Sequence, residues 1–322
     1  MASNKAAMDT QLTRSVDILR VPSHLLRAAY LIGKIPFRSC KTDPRVSYTL
    51  YVPEKYKKVH EALQRKDLAH IPPRLPLVVN VHGTRRDATG CRDSLITFAD
   101  AHGVAILAPL FPAAMDNPLD LDSYKFLRSQ SLRSDAVMLD ILNEVSHMFP
   151  GVATDPIILV GFSGGAQFAH RFMYLHPERI AAVAIAAPGS VTKLESRENW
   201  PEGIGNVDEV FPGQGVDLEG IRRIGDVRLS VGAEDRGQDE EQLELQRWLA
   251  ERASRADSGS ARRLTQPQNR LEILKELQVD WMENGIEAEL IAVPDVGHSY
   301  QDLIPSIVDW LKECQAVVAP SA

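Results

Sequence analysis

A serine, a histidine and an acidic residue are placed in this chain where they could carry out acyl transfer together. Ser163 lies in the pentapeptide GFSGG, between the apolar run PIILV and a segment with a helical pattern. Glycines on both sides permit a sharp turn that projects the hydroxyl from the edge of a sheet. The N-terminus of the following helix favours the negative charge that develops during attack. The pattern predicts Ser163 as a nucleophile, the alternative being a structural serine in a tight turn.

His298 is the histidine best placed to activate such a serine. A hydroxyl is a weak nucleophile, so a base must take its proton, and an imidazole titrates near neutrality. His298 lies in the loop VGHS directly after the predicted strand EAELIAV. Loops at the carboxyl ends of parallel strands are where such sheets place their sites. A histidine on a surface loop is the alternative.

The imidazole needs an acidic partner that holds its tautomer and stabilises the imidazolium. Asp235 lies in the tetrapeptide GAED, which follows the predicted strand VRLSV. The neighbouring Glu234 could do the same work, and Asp239 and Asp295 are further alternatives. The order along the chain is then Ser163, Asp235, His298.

A developing oxyanion must be met by backbone donors. The N–H of Gly164 is one candidate, and the N–H of Thr84, in the loop HGT after the run LVVNV, is the second. His82 of this loop is interpreted as a structural residue, with a second base as the alternative. Arg85 and the adjacent Arg86 are either solvated or recognise an anionic group of a substrate.

Two aromatic residues, Tyr124 and Trp200, are candidates for the wall of a substrate pocket, with simple packing as the alternative. Neither the remaining histidines nor the three cysteines, Cys40, Cys91 and Cys314, have the spacing of metal ligands. The sequence therefore predicts no metal site and no disulfide framework.

These residues lie between short apolar runs that alternate with helical segments. The predicted strands are residues 46–52, 77–81, 104–107, 156–160, 180–186, 227–231 and 287–293, and the clearest helices are 134–148, 164–176 and 303–313. Continuous apolar strands alternating with helices are typical of a parallel sheet covered on both faces. The prediction is an α/β fold with a mostly parallel, doubly wound sheet of about eight strands.

The domain prediction is one α/β unit over residues 46–314. Residues 1–45 are predicted as an N-terminal extension with a short amphipathic helix at 23–33, and residues 315–322 as a C-terminal tail. Residues 190–226 lack periodicity and are predicted to be a lid-like insertion. Residues 236–269 are predicted to be a charged insertion.

Composition narrows the class of protein further. The 322 residues are 44% apolar with a formal net charge of −7, and no basic patch suggests nucleic acid. Neither a signal peptide nor an apolar run long enough to span a membrane is evident. We expect a cytoplasmic protein, with a homodimer among the assemblies that the sequence allows.

Taken in succession, HGT, GFSGG, VGAED and VGHS resemble the α/β-hydrolase superfamily over about residues 46–313, and the order serine, acid, histidine is the one associated with that fold. Within it, VVNVHGTRRDA, FADAHGVAILAP and GFSGGAQFAHRFMYLHPERIAAVAIAAPG resemble the polyhydroxybutyrate depolymerase and feruloyl esterase-like branch. The resemblance implies a compact carboxylic ester hydrolase without a cofactor, acting through an acyl-serine intermediate with Ser163, Asp235 and His298.

One departure bears on the substrate. Members of that branch are often secreted and disulfide-bonded, whereas this chain shows neither a signal peptide nor paired cysteines. A small-molecule ester, thioester or lactone is therefore expected rather than an extracellular polymer. The same three residues also allow an amide, peptide or carbon–carbon bond hydrolase, and the fold alone would allow a ligand-binding protein without turnover.

Overall fold

The computed structural model describes residues 17–66, 71–116, 118, 120–237, 244, 247–248 and 269–318. They form an eight-stranded sheet with the strands β1 (Gly33–Ser39), β2 (Ser47–Val52), β3 (Leu75–Val81), β4 (Ala105–Leu110), β5 (Val152–Phe162), β6 (Ile180–Ala186), β7 (Asp226–Gly232) and β8 (Glu289–Val293). The order across the sheet is β1-β2-β4-β3-β5-β6-β7-β8. β2 is antiparallel to both neighbours and the other pairs are parallel. The predicted mostly parallel, doubly wound sheet of about eight strands is confirmed.

The central strands are apolar along almost their whole length because helices cover both faces of the sheet. In β3 and in β6 every residue but one is buried. Strands that are buried on both faces are continuous apolar segments, and these strands could therefore be predicted from the sequence.

The helices within the described residues include Tyr56–Arg65, Ala88–Asp93, Ile96–His102, Ser134–Met148, Gly164–Leu175, Val207–Val210, Leu218–Arg222, Arg270–Glu283, Tyr300–Glu313 and Gln315–Val318. Single 3₁₀ turns are Ile18–Arg20, Ser23–Leu25, Ser123–Phe126 and Pro177–Arg179. The helix Ser134–Met148 has the predicted bounds, because its apolar residues recur at the helical period and face the core. None of the helices in the described part of the chain is long and apolar enough to cross a membrane.

The N-terminal region differs from the sequence prediction. Residues 23–33, predicted as a short amphipathic helix, contain the 3₁₀ turn Ser23–Leu25 and then enter β1, which pairs with β2. The sheet therefore begins before residue 46. Pro36 hides this strand in the sequence, since proline within a sheet is confined largely to edge strands and bulges, and β1 is an edge strand with a register shift between Ile35 and Arg38.

The segment 190–226 packs along the helix Gly164–Leu175. The N–H of Thr192 donates to His170 Nε2 at 3.0 Å, and its hydroxyl accepts from Arg171 Nε at 2.7 Å. Most of the predicted charged insertion 236–269 lies outside the described residues. The predicted tail 315–322 begins with the helix Gln315–Val318, whose Val317 is buried, and its last four residues lie outside the described part.

Candidate active site

Ser163 sits on a strained turn between β5 and the helix Gly164–Leu175. Its φ of 54° and ψ of −113° are unusual for a residue with a side chain, and such a conformation costs about 1–3 kcal/mol. A Cβ at Gly161 would lie 2.2 Å from the carbonyl oxygen of Gly165, and one at Gly165 would lie 2.0 Å from that of Val81. Both glycines are therefore required by contacts of the turn with its own backbone and with β3.

Ser163, His298 and Asp235 are joined by hydrogen bonds. The distance between Ser163 Oγ and His298 Nε2 is 3.1 Å, and that between His298 Nδ1 and Asp235 Oδ2 is 2.7 Å. A neutral imidazole with its proton on Nδ1 donates to the carboxylate and accepts from the hydroxyl, the arrangement needed for a general base. The structure brings together the three residues that the sequence proposed.

Among the acidic alternatives, the structure places Asp235 against the imidazole. Glu234 and Asp295 are exposed, and Asp239 lies outside the described residues. Asp235 is only 2% exposed. Burial alone would raise its pKa, but the hydrogen bond from His298 and the positive charges of His298 and Arg270 outweigh burial, so the pKa of Asp235 is lowered. The carboxylate is thus held in its ionised form.

Two backbone N–H groups lie beside the nucleophile. A Cβ at Gly164 would lie 3.3 Å from the backbone nitrogen of Thr84, and one at Gly83 would lie 3.4 Å from Ser163 Cβ. Within the described residues, neither the N–H of Gly164 nor that of Thr84 donates to a protein acceptor. An oxyanion hole requires two such donors beside the nucleophile, and this role of Gly164 and Thr84 stays a prediction.

Comparisons with known proteins address the fold that carries this arrangement. No family model and no curated protein sequence matches the chain. Among solved structures, a poly(3-hydroxybutyrate) depolymerase from Bordetella parapertussis has a TM-score of 0.59 and 21% identity, over 91% of this chain and 94% of that one. Poly(aspartic acid) hydrolase-1 from Sphingomonas sp. KT-1 has a TM-score of 0.57 and 19% identity, over 82% and 92%.

A ferulic acid esterase from Anaeromyces mucronatus, in complex with ferulic acid, has a TM-score of 0.52 and 16% identity over 89% of this chain and 91% of that one. The chain has the α/β-hydrolase fold. These neighbours match the branch that the sequence motifs resemble. At such low identities the likeness concerns the fold.

The α/β-hydrolase fold explains why residues so far apart in sequence meet. Gly83 and Thr84 follow β3, Ser163 follows β5, Asp235 follows β7 and His298 follows β8. The carboxyl ends of parallel strands lie at one edge of the sheet, so all of these loops converge there.

Arg270 is a site residue that the sequence analysis missed. Its Nη1 lies 2.7 Å from Asp235 Oδ1, so each carboxylate oxygen of Asp235 has its own donor. Arg270 is only 7% exposed. It begins the helix Arg270–Glu283, on the far side of the segment 236–269. No motif spans that separation, and a basic residue at a helix start carries no signal of its own.

The loop that carries Thr84 is fixed by a buried histidine and a half-buried arginine. His82 Nε2 accepts from the N–H of Phe111 at 3.0 Å, and burial lowers the pKa of His82 to about 4, which keeps it neutral. Arg86 donates to the carbonyl oxygens of Thr84, Phe111 and Leu121 at 2.8, 3.1 and 3.0 Å. His82 has the structural position that was predicted, whereas Arg86 is half-buried and binds the loop rather than solvent.

Aromatic rings pack against His298. The ring of Phe162 stacks on the imidazole, and the ring of Tyr300 lies against Phe162 with centroids 5.4 Å apart. The Tyr300 hydroxyl accepts from Asn80 Nδ2 at 2.5 Å and lies 3.0 Å from Ser94 Oγ. The histidine loop is thereby tied to β3 and to the segment before the helix Ile96–His102.

A cavity of about 370 Å³ opens beside Ser163 and His298. Its lining includes Arg85 and Asp87 from the loop after β3, Ser299 from the loop after β8 and Gln301 from the helix Tyr300–Glu313. No described residue of the segment 190–226 lines it. The lid-like role of that segment therefore stays a prediction.

The three residues predicted to bind substrate are placed differently. Arg85 is exposed and lines the cavity. Tyr124 is buried below the loop of Thr84 and donates to the carbonyl oxygen of His82 at 3.1 Å. Trp200 packs edge-on against Phe211 and donates its indole N–H to the carbonyl oxygen of Phe126 at 3.0 Å. Neither aromatic residue lines the cavity.

No group of three histidine, cysteine or acidic side chains within the described residues is arranged to hold a metal ion. The three cysteines are all free and buried.

Proposed function

We propose that this chain is a serine hydrolase that cleaves a carboxylic ester, thioester or lactone of a small molecule. The observation that carries the proposal is the continuous hydrogen-bond chain from Ser163 through His298 to Asp235, with two unengaged backbone N–H groups beside the serine. The esterases and hydrolases among the solved structures of the same fold support the ester reaction class.

In the first step, Ser163 Oγ attacks the acyl carbon while His298 Nε2 takes the hydroxyl proton. The N–H groups of Gly164 and Thr84 donate to the oxyanion, and Asp235 stabilises the imidazolium. The imidazolium then protonates the departing alcohol or thiol as its bond to carbon breaks, leaving the acyl group on the serine.

In the second step, water repeats the sequence. His298 takes a proton from the water, whose oxygen bonds to the acyl carbon. Collapse of the second tetrahedral intermediate returns the proton to Ser163 and releases the acid. Because Asp235 remains ionised throughout, the carboxylate orients the imidazole without exchanging protons with it.

The cavity suggests where the leaving group binds. Its lining includes His298, which must reach the leaving atom with a proton, so we assign the cavity to the alcohol part of the substrate. Arg85 has no carboxylate partner among the described residues, while Asp87 accepts from the N–H of Gly90 at 2.7 Å. We propose that Arg85 contacts an anionic or carbonyl group of that alcohol part.

The test is the intact mass of the protein after incubation with a fluorophosphonate, together with hydrolysis of a series of p-nitrophenyl esters. The wild type should gain one adduct and hydrolyse short esters, and Ser163→Ala should do neither. A wild-type protein that is neither labelled nor active would indicate a ligand-binding protein of this fold. Labelling with turnover of acyl anilides but not of esters would instead establish an amide hydrolase.

Arg85 is tested separately with two esters of one acyl group, one bearing a carboxylated alcohol and the other its uncharged analogue. Arg85→Met should raise KM for the first ester and leave that for the second unchanged. An equal change for both esters would remove Arg85 from substrate recognition without affecting the hydrolase assignment.

A further inference from the structure

The carboxylate of Asp235 is held between two cationic or hydrogen-donating groups rather than by the imidazole alone. His298 Nδ1 lies 2.7 Å from Oδ2 and Arg270 Nη1 lies 2.7 Å from Oδ1. Besides these, only a long contact of 3.4 Å from the N–H of Gly237 reaches the carboxylate in the described part of the chain. The plane of the carboxylate is therefore fixed by one strong donor on each oxygen.

Arg270 holds the main chain of the acid loop as well as its side chain. The backbone N–H of Arg270 donates to the backbone carbonyl oxygen of Asp235 at 3.1 Å. Asn269 caps the helix Arg270–Glu283 by accepting from the N–H of Leu271 at 3.0 Å, which fixes the position of the first helical residue. Arg270 thus reaches Asp235 from a defined helix end.

The charge of Arg270 acts on the imidazole through the shared carboxylate. A lone buried carboxylate would strongly favour the imidazolium and so make the base inactive at low pH. A guanidinium on the opposite oxygen repels the imidazolium and offsets part of that effect, while still leaving the carboxylate free to orient the ring. Arginine is suited to this place because it keeps its charge when buried.

We propose that Arg270 is a positioning residue for the proposed hydrolase, which aligns Asp235 and keeps His298 available as a neutral base at lower pH. The proposal rests on the proposed function, because it assigns His298 as the base. It adds a positioning residue to the three hydrogen-bonded residues. Arg270 would help to set the pH range of activity, a role that those three do not supply.

The other groups that face His298 do not compete with this effect. Cys91 and Tyr300 line the cavity, but burial raises the pKa of Cys91 to about 12 and also raises the pKa of Tyr300. Arg85 and Asp87, the charged residues of the lining, are exposed and are the same in every variant compared. Asp235 itself has a lowered pKa and stays ionised.

The test compares Arg270→Met and Arg270→Lys with the wild type by the rate of fluorophosphonate labelling and by kcat/KM for a p-nitrophenyl ester, each from about pH 5 to pH 9. The acidic limb of such a profile reports protonation of the essential base. In Arg270→Met the limb should move to higher pH by about one unit, and the plateau should fall between about 10- and 100-fold. Arg270→Lys keeps the charge, so its limb should stay in place while its plateau falls less.

A matched control is Arg228→Met. Arg228 is also buried and paired with a carboxylate, with Nη2 2.7 Å from Glu289 Oε2, but it lies near the start of β7, away from the site. Its loss should lower the thermal midpoint without moving the acidic limb. Such a result separates a loss of stability from a change at the reacting residues.

Two results would overturn the proposal. One is an unchanged acidic limb in folded Arg270→Met, and the other is a limb that moves as far in Arg270→Lys as in Arg270→Met. If Arg270→Met does not fold, the second comparison is made between Arg270→Lys and wild type, where any large shift of the limb contradicts the charge effect. Labelling of wild-type Ser163 in the same series shows that the hydrolase assignment survives either outcome.

Discussion

The ring of Phe162 stacks on the imidazole of His298, with centroids 4.7 Å apart and an angle of 26° between the planes. Phe162 is the residue before Ser163, so two adjacent residues supply the nucleophile and the aromatic ring that packs on the base. This contact explains how a histidine on a partly exposed loop keeps its orientation toward the serine.

We expect Phe162→Leu to slow acylation roughly 5- to 10-fold, because an aromatic contact of this kind contributes about 1 kcal/mol. The measurement is the rate of fluorophosphonate labelling. The protein offers a matched control in Phe98→Leu, because Phe98 stacks on His102 at the same 4.7 Å. Equal labelling rates in the two variants would show that the stack at His298 is only packing.

Arg86 is expected to control turnover through the oxyanion loop. Arg86→Met removes the donors to Thr84 and to two neighbouring segments, so the N–H of Thr84 should lose its alignment. We expect kcat to fall by about 10-fold with little change in KM, since the lost interaction serves the transition state. Arg179→Met is the control, because Arg179 donates to the carbonyl oxygen of Thr154, at the other end of β5. A kcat that is unchanged in Arg86→Met would remove Arg86 from this role.

Gly165 and Gly225 make a matched pair for testing the turn at the nucleophile. Gly165→Ala would place its methyl group against the backbone of β3 and should lower the free energy of unfolding by about 3 kcal/mol or more. A Cβ at Gly225 meets no atom within 4 Å, so Gly225→Ala should be neutral or slightly stabilising. Chemical denaturation of the two variants gives both values, and similar values for both would contradict the close approach at Gly165.

Lys125 should give the folded state a distinctive dependence on pH. It is buried beside Gly164 and donates to Asp122 Oδ1, but burial, reinforced by the charges of Arg86 and Arg171, outweighs this ion pair and lowers the pKa of Lys125 to about 7. Between pH 7 and the usual lysine range, the unfolded chain binds a proton that the folded chain does not. Through Lys125, the free energy of unfolding therefore rises with pH within that window. Below the window Lys125 is protonated in both states and contributes no pH dependence.

Lys125→Met lacks that titration. The free energy of unfolding of the variant should exceed that of the wild type most near pH 6. This difference should shrink by on the order of 1–3 kcal/mol by pH 9. Urea unfolding of both proteins at the two pH values measures the difference. A difference that stays constant would mean that Lys125 keeps its proton in the folded protein.

The sequence was sufficient to predict the sheet and the hydrogen-bonded residues because each has a local signature. Buried parallel strands are continuous apolar runs, and glycines on both sides of Ser163 mark a sharp turn. Asp235 and His298 could be proposed because each directly follows such a strand. In these cases the physical requirement lies within a few neighbouring residues.

What the sequence did not reveal depends on contacts between distant segments. β1 was missed because an edge strand buries few side chains and tolerates a proline. Arg86 could not be separated from a solvated arginine until its four carbonyl acceptors, on Thr84, Phe111, Pro112 and Leu121, were known. Trp200 and Tyr124 are aromatic residues of the kind that commonly lines a pocket, yet their hydrogen bonds direct them into packing rather than toward the cavity.

The contacts between Asp235 and Arg270 also have a consequence for how this protein can be altered. They join the two ends of the segment 236–269 by a main-chain hydrogen bond and an ion pair. The entropic cost of closing a loop grows only slowly with its length. Because the two ends are held together by these contacts, insertions between them need not move the reacting residues. A change in the length of the segment should therefore leave the positions of the nucleophile and its base unaltered.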